Sequence, residues 1–97
     1  MNKNEKLITK KIQISGFVQG VGMRYFIRNT AVSLKVKGTV ENLNNGSVEV
    51  IAQGYEEDLK HFLDAIKQGN PGIIDTINVD MMDTEHVYQN FDVKFDF

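Results

Sequence analysis

Apolar and polar residues alternate along residues 8–17, which is the pattern of a strand with one buried face. The apolar positions of this stretch are Ile8, Ile12, Ile14 and Gly16. After the glycine-containing residues 18–22, the apolar spacing changes to that of one helical face. The residues of that face are Met23, Phe26, Ile27, Thr30, Ala31 and Leu34. The pattern therefore predicts a first strand, a loop, and a helix that begins near Gly22.

The next residues predict a hairpin. Apolar positions alternate in two short stretches, at Val36, Gly38 and Val40 and then at Val48, Val50 and Ala52. Between the two stretches, the sequence Asn44-Asn45-Gly46 is typical of a tight turn. We expect these three residues to supply the positive φ values that such a turn needs.

The rest of the chain predicts one more helix and two more strands. The apolar residues of the helix are Leu59, Phe62, Leu63 and Ile66, which follow the acidic residues 56–58. Gly69-Asn70-Pro71-Gly72 ends this helix. The apolar positions of the fourth strand are Ile74, Ile77, Val79 and Met81, and those of the last strand are Phe91, Val93, Phe95 and Phe97.

The predicted order of elements is β-α-β-β-α-β plus a short terminal strand. This order indicates an α+β fold of the ferredoxin-like type, a split βαβ sandwich in which two helices cover one face of an antiparallel sheet. We expect a single domain over residues 8–97. Residues 1–7 are expected to form a short disordered tail.

Composition narrows the classes of function. The chain has 97 residues, of which 41% are hydrophobic and 25% charged, as in an ordinary globular domain. It has no cysteine, which excludes disulfides, thiolate catalysis and cysteine-ligated zinc. The net charge of −2 gives no general attraction to nucleic acid, and no stretch of about 20 apolar residues is present to span a membrane. We therefore expect a cytoplasmic protein that binds neither nucleic acid nor membranes.

The loop between the first strand and the first helix is the first candidate site. Gly20 and Gly22 allow backbone N–H groups to converge, and the free N–H groups of the helix start add a positive dipole end. Arg24 adds a guanidinium, which can contact two phosphate oxygens at once. These features indicate an anion-binding loop over residues 18–24. The alternative is a tightly packed turn that precedes an arginine on a solvated helix face.

Asn42 is the second candidate. It continues the parity of Val36, Gly38 and Val40 at the end of the second strand, where another apolar residue is the default. A polar amide in such a position needs a hydrogen-bond partner. The alternative is that Asn42 caps the hairpin turn.

Two motifs resemble those of the acylphosphatase family. Residues 16–24, with the sequence GFVQGVGMR, are similar to the first signature of the family, which ends in its catalytic arginine. Residues 38–42 (GTVEN) and 45–49 (NGSVE) resemble its second signature, which contains its catalytic asparagine. The resemblance covers about residues 10–97.

This resemblance implies an acylphosphatase, which hydrolyses the carboxyl-phosphate bond of small acyl phosphates to a carboxylate and inorganic phosphate. It implies that Arg24 holds the phosphate and that Asn42 positions the attacking water. It also implies that the backbone amides of five loop residues bind the phosphate together with Arg24, namely those of Gln19, Gly20, Val21, Gly22 and Met23. No metal and no cofactor is implied. We expect a monomer that its product, inorganic phosphate, inhibits competitively.

Three residues depart from the family pattern. Met23 stands where many members have phenylalanine, Lys35 replaces a usual glycine, and Thr39 replaces a frequent tryptophan. These are packing or loop positions, so we expect them to affect stability and rate more than the existence of activity. The two histidines, His61 and His86, lie outside the apolar patterns and are expected at the surface.

Other functions of the same fold are alternatives, because a fold alone does not determine a function. A regulatory domain could bind phosphate in the same loop without turnover, but such a domain has no need of Asn42 to position a water. The domain could also serve a larger carbamoyl-phosphate-processing enzyme, although we expect a free-standing protein. An RNA-binding module is not indicated, because the third strand, residues 47–51, has no aromatic residue.

Overall fold

The structure is a computed structural model, which describes residues 6–95. Its helices and strands follow the predicted order. The strands are β1 (Ile8–Phe17), β2 (Lys37–Asn42), β3 (Val48–Gly54), β4 (Ile73–Met82) and β5 (Phe91–Val93), and the helices are α1 (Met23–Ser33) and α2 (Glu56–Gly69). Most of the predicted tail, residues 1–5, and the predicted strand residue Phe97 lie outside the described part of the chain. No helix within residues 6–95 is both long enough and apolar enough to cross a membrane.

The five strands form one sheet in the order β4-β1-β3-β2-β5. β1 pairs antiparallel with β3 and with β4, and β2 pairs antiparallel with β3. This topology confirms the α+β ferredoxin-like fold. β5 extends the sheet in parallel with β2, so the complete sheet is mixed and not antiparallel throughout. The terminal strand is also shorter than predicted, because it ends at Val93 and Phe95 lies beyond it.

The connection between β4 and β5 explains the parallel pairing. Residues 83–90 cross from the β4 edge of the sheet to the β5 edge, and the buried side chain of Gln53, in the central strand β3, holds them on the way. Gln53 donates to the carbonyl oxygen of His86 at 2.7 Å and to the hydroxyl of Thr9 at 3.0 Å, and it accepts from the N–H of Tyr88 at 2.9 Å. The crossing delivers the chain to the beginning of β2, so that β2 and β5 run in the same direction.

The strand register places the hydrophobic core on one face of the sheet. Ile14 pairs with Val48, and Val48 pairs in turn with Asn42, so the three side chains form one row on the same face. Both helices contribute buried side chains to the core on this face, namely Met23, Ile27, Ala31, Leu59, Phe62 and Ile66. Asn42 is therefore a polar residue in a row whose other two members are buried and apolar.

β4 contains a bulge that explains the break in its apolar alternation. Residues 15 and 16 of β1 pair with Thr76 and Ile74, respectively, which leaves Asp75 as an extra residue of β4. The extra residue shifts the parity of the strand. As a result, both Ile74 and Ile77 pack against the core although they are three positions apart.

The turn of the β2–β3 hairpin differs from the prediction in one respect. Gly46 has a positive φ of +91°, but the prediction that Asn44 and Asn45 also have positive φ values is wrong. The side chain of Asn45 stabilises the turn instead, because its Oδ1 accepts from the N–H of Ser47 at 3.0 Å and from its hydroxyl at 2.6 Å. One left-handed residue at the end of a three-residue loop is sufficient for this kind of hairpin.

The residue that follows the C-cap of α1, Lys35, has a left-handed backbone with a φ of +62°. The N–H of Lys35 donates to the carbonyl of Val32 at 3.3 Å, and the N–H of Val36 donates to that of Ala31 at 2.9 Å. This pair of bonds is the Schellman motif, in which glycine is the usual left-handed residue. Lys35 thus adopts a backbone conformation that disfavours any residue with a Cβ atom.

Candidate active site

A cavity of about 180 Å³ lies at the end of the sheet where β1 and β2 terminate, beside the start of α1. Its lining residues are Val18, Gly20, Gly22, Met23, Arg24, Tyr25 and Asn42. The cavity therefore brings the two predicted catalytic residues, Arg24 and Asn42, together with three of the five predicted amide donors. The other two predicted donors, Gln19 and Val21, are not lining residues.

Two glycines shape the loop that precedes α1. Gly20 has a φ of +74° and Gly22 a φ of +83°, which is the left-handed region that side chains with a Cβ rarely adopt. Gly22 is also the N-cap residue of α1, and no side chain caps the helix there. Within residues 6–95, the N–H groups of residues 19–25 donate to no other backbone carbonyl. The first turn of α1 contains no acidic side chain that would repel an anion from the positive end of the helix dipole.

The orientation of Arg24 depends on residues that follow β5. Its Nη1 donates to the carbonyl oxygen of Lys94 at 2.8 Å. Its guanidinium carbon lies 5.4 Å from the centre of the Phe95 ring, within the range of a cation–π contact. The N–H of Lys94 donates in turn to the carbonyl of Val40 in β2 at 2.8 Å. The parallel pairing of β5 with β2 thereby brings Lys94 and Phe95 to the start of α1.

Asn42 has an unusual polar atom. Its Oδ1 is buried and has no hydrogen-bond partner among residues 6–95. Buried side-chain oxygens are nearly always hydrogen-bonded, so an unpaired acceptor on a residue that lines the cavity is unusual. The alternative that this oxygen caps the hairpin turn is not supported, because the turn is held by the side chains of Asn45 and Gln19.

Gln19 joins the anion-binding loop to the hairpin through its side chain. Its Nε2 donates to the carbonyl oxygen of Leu43 at 2.8 Å and to that of Ser47 at 2.9 Å. These two bonds hold the loop against the residue that follows Asn42. The distance between the loop and Asn42 is therefore set by a polar bridge and not only by packing.

The sequence analysis did not identify the contributions of the Gln19 side chain, Tyr25, Lys94 and Phe95. The Gln19 bridge spans 24 and 28 positions, and the bond from Arg24 to Lys94 spans 70. No local pattern signals contacts over such separations. Tyr25 could have been suspected from its position directly after Arg24, but its place on the helix alone does not show that it lines a cavity.

Side chains that could bind a metal ion do not gather at this cavity. Over the described ranges of the chain, no group of three or more His, Asp or Glu side chains is placed to hold a metal. His61 is exposed on α2, where it lies 3.7 Å from Glu57, and His86 is exposed in the connection between β4 and β5. Both histidines are at the surface, as predicted.

The fold is that of a small ferredoxin-like α+β domain, and a glycine-containing loop, an arginine and an asparagine line one of its cavities. Comparison with known proteins specifies the family. The acylphosphatase family model matches residues 10–93. The acylphosphatase of Thermotoga maritima is 44% identical over 86 residues, which are 88% of this chain and 94% of the relative. The acylphosphatase of Archaeoglobus fulgidus is 41% identical over 90 residues, which are 92% and 100% of the two chains.

Solved structures agree with this result. The crystal structure of acylphosphatase from Bacillus subtilis superposes with a TM-score of 0.85 at 34% identity, covering 90% of this chain and 98% of that one. The same domain also occurs within a longer chain, full-length HypF, where the TM-score is 0.84 at 28% identity and the match covers 12% of HypF. The chain belongs to the acylphosphatase family and is an enzyme that hydrolyses acyl phosphates.

Proposed function

We propose that this enzyme hydrolyses acyl phosphates by direct attack of a water that Asn42 positions, while Arg24 and the backbone N–H groups of residues 19–23 hold the phosphate. The observation that carries the proposal is the buried, unpartnered Oδ1 of Asn42 in the same cavity as Arg24. An acceptor in that position can accept a hydrogen bond from a water and so orient a lone pair of the water oxygen toward phosphorus.

The chemistry needs little more than these groups. In the reaction, a bond forms between the water oxygen and phosphorus, and the bond between phosphorus and the acyl oxygen breaks with its electron pair leaving on the carboxylate. A carboxylic acid ionises well below neutral pH, so the leaving group needs no general acid. The proton of the water passes to a phosphate oxygen. The protein has to hold the phosphoryl group, stabilise its charge and align the water.

Arg24 and the loop fit the binding part of this task. The guanidinium is held by Lys94 and Phe95, and donors that are fixed in advance stabilise a transition state at little cost in reorganisation. The N–H groups of the loop and of the first turn of α1 add neutral donors and the positive end of the helix dipole. These groups act in the ground state and in the transition state. Neither metal nor cofactor is assigned a task.

The proposal is tested by comparing Asn42→Ala with wild type for turnover and for inhibition by inorganic phosphate. We expect kcat for acetyl phosphate to fall about 100-fold, because a misplaced reacting group typically costs that much. The inhibition constant of phosphate changes less than about threefold, because Asn42 contacts mainly the water. Asn44→Ala, at an exposed position of the same hairpin, is the matched control and retains wild-type kinetics.

Circular dichroism and a melting curve accompany these measurements to establish that the Asn42 variant is folded. A folded Asn42→Ala variant with a normal rate would show that Asn42 is structural. A variant that loses phosphate affinity and turnover in the same proportion would assign Asn42 to phosphate binding and not to the water.

A further inference from the structure

Tyr25 differs from the other apolar residues around the cavity. Val18 and Met23 are only 1% and 2% exposed, so they form its buried floor, whereas the Tyr25 side chain is 54% exposed. The other lining residues are glycines, Arg24 and Asn42. Within residues 6–95, Tyr25 is thus the one lining side chain that offers a ring surface to a molecule that enters the cavity from solvent.

A second exposed ring supports Tyr25. The rings of Tyr25 and Phe95 lie 6.2 Å apart at an angle of 51°, and Phe95 is 51% exposed. Phe95 also lies under the guanidinium of Arg24, at 5.4 Å. The two rings, which we call the aromatic ledge, therefore border the group that holds the phosphate. Large exposed aromatic residues that adjoin a polar site commonly mark a binding surface.

We propose that the aromatic ledge binds the acyl group of the substrate and that it favours acyl phosphates with a planar aromatic acyl group over those with a small acyl group. The inference rests on the proposed function, because in-line attack fixes where the acyl group lies. The water approaches phosphorus from the side of Asn42, so the leaving carboxylate departs on the opposite side. Among the described lining residues, Tyr25 is the exposed side chain that neither holds the phosphate nor positions the water, so we assign it to the acyl group.

The expected size of the preference follows from the contact. An aromatic pair in an offset or edge-to-face arrangement is worth about 0.5–1.5 kcal/mol beyond simple burial, which corresponds to about two- to tenfold in kcat/KM. Acetyl and carbamoyl groups are too small to make this contact. The aromatic ledge therefore distinguishes substrates by their acyl group, while the loop and Arg24 contact only the phosphate that all of these substrates share.

The test compares benzoyl phosphate with acetyl phosphate in wild type, Tyr25→Ala, Tyr25→Phe and Tyr55→Ala. We expect Tyr25→Ala to lower the benzoyl-to-acetyl ratio of kcat/KM about three- to tenfold, and Tyr25→Phe to preserve it. Use of the ratio cancels the different intrinsic reactivities of the two substrates. Tyr55 is the control, because it is 45% exposed but precedes α2 at the opposite end of the sheet. A ratio that is unchanged in Tyr25→Ala, or equally lowered in Tyr55→Ala, would overturn the proposal.

A binding measurement separates this inference from the mechanism. Phenacylphosphonate and acetonylphosphonate carry a methylene in place of the bridging oxygen, so they bind without being hydrolysed. In calorimetry, wild type should bind phenacylphosphonate about two- to tenfold more tightly than acetonylphosphonate. Tyr25→Ala should bind the two phosphonates with similar affinity. If Asn42→Ala has normal kinetics and wild type still prefers phenacylphosphonate, the proposed role of Asn42 is wrong but the proposed role of the aromatic ledge is supported. Equal affinities of the two phosphonates for wild type would refute the ledge whatever the mechanism.

Discussion

The guanidinium of Arg24, in the first turn of α1, donates a 2.8 Å hydrogen bond to the carbonyl oxygen of Lys94, 70 positions further along the chain. The neighbouring Phe95 ring lies 5.4 Å from the same guanidinium. A long and flexible side chain is thereby confined to one region of the cavity. Confinement before the substrate arrives reduces the entropy that binding would otherwise cost.

Replacement of Phe95 tests whether this confinement matters. We expect Phe95→Ala to weaken phosphate inhibition and to lower kcat/KM for acetyl phosphate about two- to fivefold, since an exposed cation–π contact is worth about 0.5–1 kcal/mol. Acetyl phosphate is used because it has no ring to contact Phe95 directly. Phe95→Tyr retains the ring and preserves both values. Unchanged phosphate inhibition in Phe95→Ala would show that the ring does not position Arg24.

Removal of the Arg24 guanidinium has a larger effect. Arg24→Ala should reduce kcat/KM at least about 100-fold, because loss of one preorganised transition-state donor typically costs 10²–10³ in rate. Arg24→Lys recovers little of the loss, since an ammonium cannot contact two phosphate oxygens in the same plane. Arg28→Ala, one turn further along α1 and exposed, is the matched control. Near-native turnover of the lysine variant would rule out the bidentate role.

The same site predicts how the enzyme responds to chelators. Activity is expected to survive exhaustive treatment with EDTA, because every catalytic task is assigned to Arg24, Asn42 and backbone N–H groups. Phosphate release from acetyl phosphate is measured before and after treatment. Loss of turnover that magnesium or zinc restores would contradict the mechanism.

The Gln19 bridge predicts a loss of both stability and activity. Gln19→Ala removes two hydrogen bonds and leaves two carbonyl groups without this donor, which should lower the free energy of unfolding by about 1–3 kcal/mol. Because the bridge sets the position of the loop relative to Asn42, kcat falls as well. Gln19→Glu is worse than Gln19→Ala, since it places a negatively charged acceptor against the two carbonyl oxygens. Urea unfolding measures the change, with Gln68→Ala on the exposed side of α2 as control. A Gln19→Ala variant as stable as wild type would show that the bridge contributes nothing.

The left-handed backbone of Lys35 leads us to expect that a glycine variant at this position is more stable than wild type. A left-handed residue with a Cβ costs about 1–2 kcal/mol, whereas the greater chain entropy of glycine costs about 0.5–1 kcal/mol. Lys35→Gly should therefore raise the free energy of unfolding by about 0.5–1 kcal/mol. Lys37→Gly, at a strand position, should lower it by a similar amount and serves as the comparison. A less stable Lys35→Gly variant would mean that the lysine side chain stabilises the helix end by another route.

The parts of the fold that follow from local patterns were predictable. The alternation that ends at Asn42 indicated a polar residue on the core face, and the register of β2 with β3 places it there. The loop formed by the glycines before Arg24 was equally predictable from the sequence, because a strand-to-helix turn is a local feature. The hydrogen bond from Arg24 to Lys94 was not predictable from the sequence, since it requires that β5 pair in parallel with β2 after a connection that crosses the sheet. The bulge at Asp75 likewise depends on the pairing partner and not on β4 alone.

The crossing of the sheet by residues 83–90 has a consequence for the order in which the site matures. During synthesis Arg24 emerges well before its carbonyl partner at Lys94, which lies 70 positions further along the chain. Contacts between distant parts of a chain form slowly, because their loop entropy is lost before any contact is gained. The contacts that hold Arg24 are therefore expected to form late in folding, after the chain has crossed the sheet. A nascent chain that has already built its first helix and hairpin would still lack the carbonyl and the ring that orient Arg24 until β5 docks beside β2.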